Sequence, residues 1–225
     1  MKRKRIVSAA AAAVLSAVLA FSSGTAVFAH ASLEDDGTYF YGVDYNEVTD
    51  YTFRNFENMI IAMMMTHHSY SDAGDEYYYD WIWTSEAKMA DWELADIITH
   101  YIYRAEYDTY ETSYSDGRFC IGVDHMHKMI RNALGWRPYS AVSGDQLRND
   151  GVNYSVPAAS GEGTIYQLEY QYGSFESGSQ YAVRYRLTRY FEYTGETEVC
   201  ATADAYFESD YGSDFGWRIV SLVMR

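Results

Sequence analysis

Asp124-His125-Met126-His127 has the spacing best suited to metal ligation in this chain. On an extended strand His-x-His puts both imidazoles on one side. On a helix they stand about 200° apart and cannot share an ion. Val123, Met126, Ile130, Ala133 and Leu134 follow helical spacing, Gly135 suits the position after a helix end, and Pro138 forbids resumption. The segment is therefore expected to be a helix capped by Asp124, with diverging histidines. Met63-Met64-Met65 followed by His67-His68 offers soft ligands. Consecutive helical residues point in different directions, so core packing is the expected role of the methionines. Acid-base chemistry would fall to His100 with Asp204 or Glu198, provided that folding brings a titratable pair within about 3 Å of a substrate proton.

The start of the chain sets the compartment. Lys2-Arg3-Lys4-Arg5, the apolar run Ile6 to Phe21 and the small-residue stretch Val27-Phe28-Ala29-His30-Ala31 have the order of a secretory signal peptide. Residues 1–31 are expected to be removed, after Ala29 or Ala31. Residues 32–225 then form the exported domain, secreted or held at the cell envelope, with no integral membrane segment left. The stretch Ala29-His30-Ala31-Ser32-Leu33 resembles the mature start of exported copper carriers. That resemblance implies Cu(II) chelation by the amine and ring of His30, if cleavage follows Ala29.

Composition narrows the partners. The chain carries a net charge of −15, and removing the four basic residues of the leader brings it to −19. Nucleic acid is excluded as a partner, because a polyanion binder needs a basic face. Twenty-four Tyr, five Trp and only two Pro belong to a folded chain, not a disordered one. Flat amphipathic rings can stack on glycans or peptides, or pair across strands in half-buried sheet positions. Two cysteines in an exported chain invite a bridge. The alternation around residue 200 nevertheless puts Cys200 on the face away from the helices, so a bond to Cys120 is the less favoured arrangement.

The elements follow from periodicity. Thr49 or Asp50 caps a first helix, with Phe53, Phe56, Ile60, Met63 and Met64 as its stripe. Ser85 is expected to cap a second, with Leu94, Ile97, Ile98, Tyr101 and Ala105 buried. Residues 107–122 read as a loop from their Thr, Ser, Asp and Gly content. From residue 153 the period changes to two, and strands are expected over 164–172, 180–192, 196–208 and 217–224. Parity fixes the central register. Leu187, Tyr185 and Val183 should face Ala201, Ala203 and Ala205, with Arg184 opposite Asp204, through a three-residue loop Tyr193-Thr194-Gly195. The three alanines leave space over the sheet for a ligand cavity or a covering helix.

The expected fold is therefore a single α+β domain. About three N-terminal helices (residues 49–135) pack on a curved, four-stranded antiparallel C-terminal sheet (153–225). A helix closing in Leu134-Gly135-Trp136, then a meander ending in Trp217-Arg218-Ile219-Val220, resembles the cystatin-like or nuclear transport factor-like cone, and uncharacterised secreted proteins of Gram-positive bacteria. Such folds host enzymes and binding modules alike. Without a recognisable nucleophile or metal motif, the reading favours a non-enzymatic module with no cofactor. It would bind a small molecule, glycan or peptide near Tyr185, Ala201, Ala203 and Trp217. A small acid-base enzyme is the alternative, and copper binding the second.

Overall fold

The computed structural model describes residues 53–72, 81–87, 89–108, 113–158, 164–177 and 180–225. Residues 1–31, expected to be a signal peptide, with His30 among them, and the expected first caps Thr49 and Asp50 lie outside them. In chain order the elements are α1 (Glu57–Asp72), preceded by a 3-10 turn, then β1 (Ile82–Thr84), α2 (Asp91–Asp108), β2 (Ser113–Ser115), β3 (Arg118–Gly122) and α3 (Val123–Leu134). β4 (Arg148–Asn149), β5 (Asn153–Pro157), β6 (Thr164–Ser177), β7 (Gln180–Phe191), β8 (Thr197–Ser209) and β9 (Trp217–Met224) complete the chain.

The molecule is α+β with three described helices, but it has two antiparallel sheets where the sequence predicted one. The larger has five strands in the order β1-β9-β8-β7-β6, and the smaller has four, β2-β3-β5-β4. β1 extends the expected four strands by pairing Trp83 with Leu222 on the far edge of β9. The smaller sheet begins in the segment expected to be a loop. Asp116 and Gly117 have φ of 51° and 73°, the left-handed pair that a tight hairpin needs, and Tyr114 pairs with Phe119 across them.

Packing joins the layers. α1 lies on β6, β8 and α2, α2 reaches β3 and β5, and α3 touches both β9 and β3. One contiguous cluster of buried side chains results, from Phe56 and Met64 through Ile98 and Tyr154 to Ala205 and Leu222. Met63 and Met64 are enclosed in it, and a covering helix, α1, occupies the space over the small residues of β8. Among the described residues no helix is long and apolar enough to cross a membrane.

The β7–β8 register has the predicted pairs by an unpredicted route. Leu187 faces Ala201, Tyr185 faces Ala203, Val183 faces Ala205, and Arg184 faces Asp204. The turn, however, is one residue longer than expected. Phe191 N–H donates to Glu196 O, Gly195 N–H donates to Phe191 O, and the loop is Glu192 to Gly195. That shift would turn every apolar side chain outward, and a bulge at Cys200 cancels it, because Thr188 pairs with Val199 while Leu187 pairs with Ala201. Val199 is left exposed beyond the bulge, a correction to the predicted alternation. A second bulge at Val220 brings Leu222 and Met224 onto the face of Ile219, where simple alternation had separated them.

Two helix starts also differ. Ser85 does not cap α2. Its N–H bonds Val220 O and prolongs the β1–β9 ladder, so α2 begins six residues later at Asp91. Gly122, not Asp124, is the N-cap of α3, and Asp124 sits in the first turn. Gly135 ends α3 in the left-handed conformation, as expected, at φ 81°. Cys120 in β3 and Cys200 in β8 are free thiols.

Candidate functional site

A pocket of about 490 Å³ opens where the β1–α2 connection meets the α3–β4 connection. The first wall is Ser85 to Leu94. It is pinned at one end by the Ser85–Val220 backbone bond and at the other by the start of α2, where Leu94 N–H reaches Ala90 O. The second wall is Trp136 to Val142, released from α3 by the left-handed Gly135. A side chain at 135 would be strained by φ, and its Cβ would stand 2.7 Å from Arg218 Cδ. Arg137 ties this wall back to the first turn of α3 through a 2.7 Å bond from its Nη2 to Asp124 Oδ1. Val142 N–H donates to Tyr154 Oη.

The floor is apolar and the mouth polar. Met89, Leu94, Pro138 and Val142 are buried, while Glu86, Asp91, Tyr139 and Ser140 are exposed. Trp136 lines the cavity and its buried indole N–H has no acceptor among the described residues. A buried donor left unpaired costs about 1–3 kcal/mol, and an acceptor that a ligand brings would recover it. Among the described residues the lining contains no His, Cys or Lys.

The sequence candidates lie elsewhere. Tyr185 and Ala203 are enclosed in the core, Tyr185 edge-on to Tyr170 at 6.4 Å. Ala201 faces Leu187, and Trp217 stands edge-on to Phe53. His100, on α2, has Asp96 as its charged neighbour, and burial, the larger effect, lowers its pKa. Glu198 pairs with Arg189 at 2.6 Å, and that bond holds its carboxyl below the usual range. Asp204 is fully buried and accepts from two arginines, Arg184 (Nε to Oδ1, 2.6 Å) and Arg225 (Nη2 to Oδ2, 2.9 Å). None of the three lines the pocket. His125 and His127 diverge on α3. His125 is exposed, and His127 is buried with its Nε2 2.9 Å from Tyr154 Oη.

Two groupings escaped the sequence reading. His67 on α1 is 1% exposed, stacks on Trp81 at 3.4 Å, and lies 3.3 Å from Glu93 Oε1 of α2. Burial lowers its pKa against the opposing pull of Glu93. The pocket itself was hidden because its walls are connections without periodicity. Only Gly135-Trp136-Arg137-Pro138, a helix stop beside an aromatic, marked it. Among the described residues no group of three or more His, Cys, Asp or Glu is arranged to hold a metal ion. No family model matches this chain, and no curated protein or solved structure is significantly similar to it.

Proposed function

We propose that this chain is an exported, non-catalytic binding module whose ligand occupies the pocket between residues 85–94 and 136–142. The observation that supports it is Trp136, an aromatic wall of a cavity of about 490 Å³ whose buried N–H finds no acceptor among the described residues. The volume falls in the range of about 300–1,000 Å³ typical of small-ligand sites, and so does the pattern of apolar floor and few polar groups. The ligand is a small molecule, a glycan fragment or a short peptide, presenting an acceptor to Trp136 and hydroxyl or amide groups to Glu86, Asp91 and Ser140. Export rests on the order of basic, apolar and small residues in 1–31.

The enzyme alternative draws less support. His100, Glu198 and Asp204 each sit outside this cavity, and neither His67 nor Glu93 lines it. A panel of neutral oligosaccharides and short peptides, read by ligand-induced thermal shift, tests the proposal. A binder is expected from the panel, and Ala87→Trp, a substitution at an exposed lining residue, should abolish the shift without lowering the unliganded melting temperature. Turnover of a panel member, or a shift that survives Ala87→Trp, would refute it.

A further inference from the structure

The wall bearing Trp136 and Arg137 hangs on a relay of three groups. Val142 N–H donates to Tyr154 Oη at 3.2 Å, and Oη lies 2.9 Å from His127 Nε2. Tyr154 is fully buried and no other acceptor for its hydroxyl proton stands near among the described residues. The Val142 amide already donates to Oη, so the hydroxyl proton must go to His127 Nε2. That nitrogen is then an acceptor, and the ring is neutral with its proton on Nδ1.

Protonation of His127 reverses one link. Nε2 becomes a donor aimed at an oxygen that already accepts from Val142, and the tyrosine proton loses its only buried acceptor. His127 as a residue is only 5% exposed. The charged and titratable groups facing it are Arg137 from the pocket wall, Asp124 from its own helix and Tyr154 from β5. Burial first and then Arg137 lower its pKa, while Asp124 pulls the other way.

We propose that His127 is a positioning residue and pH sensor for the pocket. Neutral, it holds Val142 and its wall through Tyr154; protonated, it releases them. The consequence for the ligand rests on the reading of this pocket as a binding site, whereas the relay is tested without any ligand. In a folded chain that keeps His127 neutral, release sets in as pH falls below the ordinary histidine value of about 6.5, and the lowered pKa moves its midpoint further into acid.

The experiment is an NMR pH titration of the full chain, following the His127 ring and the exchange protection of the Val142 amide, corrected for intrinsic pH dependence. The wild type should lose Val142 protection at least tenfold, with the midpoint of the His127 ring. In His127→Gln the side-chain carbonyl still accepts from Tyr154 but does not titrate, so protection should persist across the range. In Tyr154→Phe it should be lost at every pH. Val142 protection that stays constant while His127 titrates, or that falls equally in His127→Gln, would overturn the proposal. The failure of every oligosaccharide and peptide probe to bind would count against the pocket as a ligand site and leave the relay decided by these amides.

Discussion

Asp204→Asn is the substitution whose effect the structure specifies most closely. The carboxylate is fully buried on β8. Arg184 meets it with Nε at 2.6 Å and Nη2 at 2.9 Å, and Arg225 adds Nε at 3.0 Å and Nη2 at 2.9 Å. An asparagine removes the charge and turns an NH2 donor toward guanidinium donors. Losing one partner of a buried pair costs about 3–5 kcal/mol, and the arginines' partial exposure (12% and 26%) argues for the lower end. At about 2–4 °C per kcal/mol for a domain of this size, the melting temperature should fall by about 6–12 °C. Arg225→Ala should cost about 1–2 kcal/mol, because Asp204 keeps its two-point pair with Arg184 and the Arg225 main chain still bonds Thr202 O. Denaturant unfolding and calorimetry of both variants and their double mutant would measure the coupling. Asp204→Asn melting within about 2 °C of wild type would show that the carboxylate is not the buried counter-ion described.

Two further outcomes follow from the backbone and the histidines. Gly135→Ala should destabilise by about 2 kcal/mol, since a left-handed L-residue costs about 1–2 kcal/mol and the new Cβ meets Arg218, itself bonded to Glu208. Gly195→Ala, at φ 72° but in open space, should cost less, and equal losses in the two would refute the role of close approach. Burial lowers the pKa of His67, His100 and His127, so the unfolded chain takes up protons first as pH falls through about 6.5. Stability should be level above neutrality and decline below it, with a shallower decline in His67→Gln. Melting temperatures that hold or rise on mild acidification would contradict the assignment.

The long strands were legible in the sequence because each buries one face, and parity then leaves one register: Arg184 meets Asp204 and Leu187 meets Ala201. The bulges were not legible. Parity constrains the sum of the turn and any bulge, and a four-residue loop with Cys200 bulged satisfies it as well as a three-residue loop without one. The small sheet left a signal that composition obscured. Asp116-Gly117 is a hairpin turn, but β2 and β3 are short, and β5, the other partner of β3, lies over thirty residues away. β1 has three residues and no alternation, so only its pairing with β9 identifies it. The α2 stripe was plain, whereas its start was misplaced because Ser85 resembles a cap and serves as a sheet extension. The pocket joins two connections about fifty residues apart, and neither carries a periodic pattern that would mark Trp136 as a cavity wall.

The central claim is that this cavity receives a ligand, and the Trp136 indole resonance tests it most directly. The chain should be titrated with the oligosaccharide and peptide panel while all five tryptophan N–H signals are followed. The account predicts a panel member that shifts Trp136 saturably together with the amides of Glu86 to Leu94, and leaves Trp217 in place. If no member moves Trp136, or if a bound member shifts Trp217 and leaves Trp136 unchanged, the binding site is not this pocket.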